Sequence, residues 1–149
     1  MKAVIQRVKS ASVLVDNKII GEISTGFLIL LGVEQSDAQD DLNYLVKKII
    51  GLRIFKDDNN NMNLSIQDVG GEALVVSQFT LCADTSRGRR PSFIKAANPK
   101  EADSMYQQFC EQLILNGVPV KMGKFGTMMD VALINDGPVT ILLNSREKN

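Results

Sequence analysis

Two short runs of this 149-residue sequence combine small polar side chains with residues that shape the backbone: Ser77-Gln78-Phe79-Thr80 and Asn135-Asp136-Gly137-Pro138-Val139-Thr140. The first continues an apolar run, Leu74-Val75-Val76, and reads as a strand over residues 73–81 that turns polar while staying extended. Hydroxyl and amide groups at the end of a core strand stand at a sheet edge or in a cleft. If buried, they bond either their own scaffold or a ligand. The second run is the strongest turn signal in the chain. Proline fixes its own φ and glycine admits close approach, so the run shapes backbone whatever else it does. By itself the Gly-Pro bond is expected to be trans.

What these groups could do is limited by what is missing. The sequence has no histidine. That excludes a Ser-His-Asp triad, a Cys-His pair and a histidine metal site within one chain. Cys82 and Cys110 lack CxxC spacing, and Asp57-Asp58-Asn59-Asn60-Asn61 lacks the glycine and terminal glutamate of a calcium loop. A solvated turn is the reading for the latter. Charges balance at 17 basic and 17 acidic residues, so any contact with nucleic acid needs a local patch. The densest positive cluster is Arg87, Arg89 and Arg90, directly after the polar strand end. It either holds phosphates or forms a solvated loop. Two lone cysteines and no signal peptide suit a reducing cytoplasm, and the longest apolar run, Phe27 to Val33, is too short to span a bilayer.

The remaining chain must position these runs. Residues 1–8 read as a strand in which Arg7 continues the face of Ala3 and Ile5. That arginine either snorkels from the strand end or is paired inside, and pattern alone favours snorkelling. Residues 11–15 and 18–23 form a hairpin around Asp16-Asn17, and residues 26–33 have no polar face, as in a strand buried on both sides. Ser36 is positioned to cap a helix with Asp37, Asp40 and Asp41 in its first turns and Leu42, Leu45, Val46, Ile49 and Ile50 as its apolar stripe; Gly51 closes it. Residues 52–55 and 62–66 flank a turn. Asn98-Pro99-Lys100-Glu101 starts a second helix, with Ala102, Met105, Tyr106, Phe109 and Leu113 inward. Short strands at 118–122, 130–134 and 139–143 follow, with an irregular link before the second and a fraying polar tail from Ser145. The expectation is one domain over residues 1–149: a layered α/β or α+β fold with a mixed sheet and both helices on one side.

At this point the motifs carry a resemblance. Ile5-Gln6-Arg7-Val8, Ala11-Ser12-Val13, Leu30-Leu31-Gly32-Val33, Arg53-Ile54-Phe55, Met62-Asn63-Leu64, Ser77-Gln78-Phe79-Thr80-Leu81, Arg90-Pro91-Ser92-Phe93 and Asn135 to Thr140 run nearly end to end. In this order and spacing the chain resembles the D-aminoacyl-tRNA deacylases of the D-Tyr-tRNA deacylase type. The resemblance implies a three-layer α/β/β fold and a cytoplasmic homodimer with two sites at its interface. It implies hydrolysis of the ester between a D-amino acid, or mischarged glycine, and the 3′ end of tRNA. It also implies a cis Gly137-Pro138 bond whose carbonyls enter the partner's pocket and reject L side chains.

For the site, the resemblance points to Ser77, Gln78, Phe79 and Thr80 as the catalytic run and to Gly137, Pro138, Met129 and Arg7 on the substrate side. Arg7 would brace the Gly-Pro turn. No metal or cofactor is implied. Thr80 as nucleophile would need a base, and no histidine exists and no lysine adjoins the run. The alternative polarises the ester on backbone N–H groups near Phe79 and Thr80, while the ribose 2′-hydroxyl helps activate water. Ser77 and Gln78 would then hold the adenosine end. A competing class is a small dimeric RNA-binding domain in which both motifs are structural turns. A small-substrate esterase lacks its nucleophile-base pair.

Overall fold

The computed structural model describes residues 1–147. Among these described residues eight strands and two α-helices occur, in the order β1 (Lys2–Val15), β2 (Lys18–Ile23), β3 (Gly26–Gly32), α1 (Gln39–Ile50), β4 (Phe55–Lys56), β5 (Met62–Leu64), β6 (Glu72–Ser77), α2 (Pro99–Leu115), β7 (Val120–Met122) and β8 (Asp130–Asn144). The main sheet runs β2-β1-β3-β6-β7, with β8 on the other edge of β1. β3 and β6 are parallel, as are β6 and β7, while β1 is antiparallel to β2, β3 and β8. The sheet is therefore mixed.

The apolar pattern explains the layers. Along β3 and β6, alternate residues enter different cores. Phe27, Ile29, Leu31, Ala73 and Val75 pack with Leu42, Leu45 and Ile49 of α1 and with Tyr106, Phe109 and Leu113 of α2. Leu28, Leu74 and Val76 pack the other way, against Val8, Ala11, Val13 and Ile23. A strand between two cores needs no polar face. The second half of β1 with β2 makes the outer β layer, so helices, main sheet and outer sheet form three layers. The β1–β2 turn places Asp16 and Asn17 at φ 49° and 61°, the left-handed conformation that two-residue hairpin turns require.

Several boundaries differ from the sequence reading. β1 does not stop at Val8. Arg7 and Val8 are both buried, and register shifts flank Val8, so the strand bends and carries on into the outer layer. Likewise Asn135–Pro138 does not reverse the chain. It bulges out of one 15-residue strand, β8, both halves of which pair with β1. Ser36 does not cap α1, which starts at Gln39. Asp37 instead accepts from the Met1 ammonium and, at 2.7 Å, from the Glu34 N–H, holding residues 34–38 as a turn. The Asp41 carboxylate accepts from the Ala38 N–H at 2.9 Å. Asn98 does cap α2, accepting from the Glu101 N–H at 3.0 Å, with Pro99 in the first turn. Nor does the tail fray from Ser145. That residue is fully buried and its hydroxyl accepts from the Met1 ammonium at 2.8 Å. Residues 148–149 lie outside the described residues.

Candidate active site

The polar run after β6 does not remain extended. β6 ends at Ser77, and Phe79–Cys82 forms a single 3₁₀ turn. The Gln78 N–H still donates to the Leu31 carbonyl of β3 at 2.8 Å. Leu81 N–H then donates back to the Gln78 carbonyl at 3.2 Å and Ala83 N–H to Thr80 at 3.1 Å. The first N–H groups of such a turn, those of Phe79 and Thr80, have no acceptor within it. The turn lies tight on β3. A Cβ at Gly32 would stand 2.9 Å from the Leu81 Cβ and 3.2 Å from the Gln78 carbonyl oxygen. From the other side, the Lys2 ammonium donates to the Leu81 carbonyl at 3.4 Å and pairs with Glu34 at 3.2 Å.

Gln78 and Thr80 are joined: the Gln78 side-chain amide donates to the Thr80 hydroxyl oxygen. Phe79 is 56% exposed and meets Phe93 edge-on, with ring centroids 5.0 Å apart. Ser77 is half-buried at the strand end. No thiol is activated here. Cys82 is buried with its Sγ against the Val33 carbonyl, and burial pushes its pKa up. Burial likewise pushes Cys110, on the inner face of α2, to about 12. Among the described residues no group of three or more acidic or cysteine side chains could hold a metal ion.

The Gly137–Pro138 bond is cis, and both residues are exposed on the bulge of β8. Its support is buried. Arg7 is only 2% exposed, so the snorkelling reading is wrong: the side chain points inward and is satisfied there. Its Nε donates to the Asp136 carbonyl at 3.0 Å, Nη1 donates to the Ile54 carbonyl, and the Asp136 carboxylate lies 3.5 Å from Nε. At Gly137, φ is +127°, and a Cβ would stand 2.7 Å from Arg7 Nη2. Only glycine fits. Asn135 closes the bulge: its Oδ1 accepts from the Val139 N–H at 2.9 Å and its Nδ2 donates to the Thr140 hydroxyl at 3.1 Å.

Arg7, Gly137 and Pro138 are thus one unit. Met129 is not part of it. Its Sδ would meet a Cβ at Gly123 at 2.9 Å, beside Val76, so it packs near the end of β6. The two polar runs are also apart. Ser77 aligns through Leu31 with Ala3, whereas the bulge faces β1 between Gln6 and Val8. At about 3.3 Å per residue along β1 and about 4.8 Å for each of the strand spacings across β8, β1, β3 and β6, they are separated by roughly 20 Å. Sequence reasoning missed Lys2, Gly32 and the bracing role of Asn135. Only Asn135 carried a local signal, since asparagine side chains readily bond backbone two to four residues on.

A family model for D-Tyr-tRNA(Tyr) deacylase matches residues 4–144. The chain belongs to that family. Among curated relatives of this deacylase, a D-aminoacyl-tRNA deacylase of Exiguobacterium sp. is 54% identical over 149 residues, covering all of this chain and 99% of the relative. One of Flavobacterium psychrophilum is 56% identical, covering 99% of each. Among solved structures, a c-Myc DNA unwinding element binding protein superposes with a TM-score of 0.92 at 43% identity, covering 97% of this chain and 98% of that one. A structure described as a probable eukaryotic D-amino acid tRNA deacylase superposes at 0.80 over 95% and 97%; at 17% identity it speaks to the fold alone. The deacylase fold of this family is the three-layer arrangement described above.

Proposed function

We propose that the chain hydrolyses the ester of D-aminoacyl-tRNA, and of glycine mischarged on tRNA, as a homodimer in which each site joins the Ser77–Thr80 turn of one subunit to the Gly137-Pro138 bulge of its partner. Family membership makes it an ester hydrolase of the aminoacyl-tRNA class. The observation that carries the dimer is the strand register, which sets the two runs on different strands with β1 and β3 between them, roughly 20 Å apart by ideal spacings. A single reacting ester cannot touch both, whereas a second copy can bring its bulge to the turn. β8 supports this: among the described residues its only strand partner is β1, and Ile134 and Leu142, on β8, are exposed apolar residues. An open apolar edge of this length is a surface that proteins cover.

Water attacks the ester carbonyl. The tetrahedral oxyanion is received by the Phe79 and Thr80 N–H groups, and the 3′-oxygen of the ribose leaves with a proton relayed by the neighbouring 2′-hydroxyl. Thr80 serves the site without acting as nucleophile in this reading, because no base stands beside it to take its proton. Ser77 and Gln78 hold the adenosine end and Phe79 shapes its pocket. The Gly137 and Pro138 carbonyls, on the bulge that Arg7 fixes through the Asp136 carbonyl, oppose the substrate Cα. An L side chain collides with them, whereas D-amino acids and glycine do not. Met129 lines the substrate side from the β6 end. No helix among the described residues is long and apolar enough to cross a membrane, which is compatible with cytoplasmic tRNA as the substrate.

The competing reading is a nucleic-acid-binding domain without catalysis, favoured by the binding named for one solved neighbour and by the arginine loop. Deacylation of matched D-Tyr-tRNA and L-Tyr-tRNA by wild type and Thr80→Ala decides. The expected outcome is rapid loss of the D ester, a spared L ester, and a Thr80→Ala rate within about tenfold of wild type. RNA binding with neither ester cleaved would overturn the deacylase reading.

A further inference from the structure

We propose that the loop between Asp84 and Ser92 grips the phosphates of the single-stranded 3′ end of the RNA, upstream of the terminal adenosine, through Arg87, Arg89 and Arg90. This rests on the deacylase reading and extends it to how the substrate is held. The loop leaves the body at a bridge in which Asp84 and Ser92 exchange backbone hydrogen bonds of 2.8 and 2.9 Å. Its base is fastened to the Ser77–Thr80 turn by the edge-on contact of Phe93 with Phe79. Residues 85–91 can extend only about 10 Å out and back, so the guanidiniums stay beside the turn. Gly88 sits at φ +72° with nothing within 4 Å of where a Cβ would be, so the tip stands clear of the protein.

The charge at the tip is unopposed. Between residues 84 and 95 there are four cations and one carboxylate, in a chain whose net charge is zero. That carboxylate, Asp84, accepts from the Ser86 N–H and hydroxyl at 2.9 and 2.6 Å and lies 3.6 Å from the Lys95 ammonium. It is committed at the base of the loop. Among the described residues none of the three arginines forms an ion pair, and all three are exposed. Free guanidiniums offer bidentate donors that match phosphate oxygens. An exposed aromatic beside a short cationic track is how proteins hold single strands, by stacking a base and tracking its backbone. Three arginines suit such a strand end and are too few for a duplex surface.

The test is anisotropy binding of a non-aminoacylated RNA hairpin with a single-stranded CCA end, from about 50 to about 400 mM KCl, to the full chain and to R87Q/R89Q/R90Q. The slope of log affinity against log salt should shrink by about two, since each single-strand phosphate contact contributes about 0.7. R87K/R89K/R90K should restore most of it. With D-Tyr-tRNA, the glutamine variant should raise KM about tenfold or more while kcat falls far less. An unchanged slope and KM would overturn the proposal. If the triple variant fails to fold, the three single glutamine variants read the same slope, each by about 0.7. Arginine-dependent RNA binding without cleavage of any D ester would keep this grip and sink the deacylase reading. Cleavage with an unaltered slope would do the reverse.

Discussion

The bulge at Gly137-Pro138 and the turn at Ser77–Thr80 solve one problem in opposite ways. In the bulge Gly137 and Pro138 are exposed, and the groups that fix them lie beneath: Arg7 is buried and Asn135 ties the two limbs. In the turn the exposed groups include side chains, Phe79 and Thr80, and fixation comes from close backbone packing on Gly32 and one lysine at the rim. A buried charged brace is satisfied only in one arrangement, so it makes its segment rigid at the risk of a large loss if removed. A rim contact beside solvent is softer. On the proposed reading, in which the bulge works through its backbone, its geometry depends on the side chains beneath it.

Substitutions at the brace should break this contrast most. Arg7→Ala leaves the Ile54 and Asp136 carbonyls without their donor and opens a cavity. We expect a loss of about 2–4 kcal/mol in denaturant unfolding, with discrimination between D and L esters lost in whatever remains folded. Arg7→Lys should recover little, because one ammonium cannot serve two carbonyls in the guanidinium's planar arrangement. A loss below about 0.5 kcal/mol with discrimination intact would show that the bulge holds itself.

Gly137→Ala probes the same unit from above. The added methyl meets Arg7 Nη2 at a positive φ, so about 1–3 kcal/mol of strain is expected. D-ester turnover should drop at least tenfold while the circular dichroism spectrum is kept. On the turn, Lys2→Met should cost under about 1 kcal/mol, as a rim pair does, and slow deacylation only a few-fold. If Lys2→Met proved as damaging as Arg7→Ala, the contrast between buried and rim bracing would fail.

The smallest effect concerns the thiols, which serve neither region. Burial raises the Cys110 pKa from 9.0 to about 12. In the unfolded chain the thiol ionises near 9, so its contribution to stability is complete below that and fades as pH rises toward 12. Urea midpoints should fall across this range, and less so for Cys110→Ala. Deacylation between pH 7 and 9 should show no inflection from either cysteine.

Much of this was legible in the sequence because local chemistry and global fold agreed. The Asp16-Asn17 turn, the unbroken apolar run of β3 and the Asn98 cap each appear where their residues place them. What misled was always a non-local partner. Arg7 looks like a strand-end arginine because its acceptors, at Ile54 and Asp136, are far away in sequence. Asn135-Asp136-Gly137-Pro138 looks like a chain reversal because nothing local reveals β1 running beside both of its flanks. Ser36 looks like a cap because nothing local reveals that Asp37 pairs with the Met1 ammonium, and α1 starts at Gln39 instead. The Ser77–Thr80 run was found by composition, but its 3₁₀ shape depends on packing against β3 that no periodicity encodes.

The pairing of β1 with β8 matches Lys2 with Asn144, so strands from nearly opposite ends of the chain lie side by side. On a ribosome adding roughly 5–20 residues per second, β1 emerges on the order of ten seconds before its neighbour exists. β2 and β3 can close on it early, but the edge reserved for β8 stays open until β8 emerges. The nascent chain thus carries an unpaired strand edge throughout the interval between β1 and β8, and crowding, chaperones and translation speed all act on that interval.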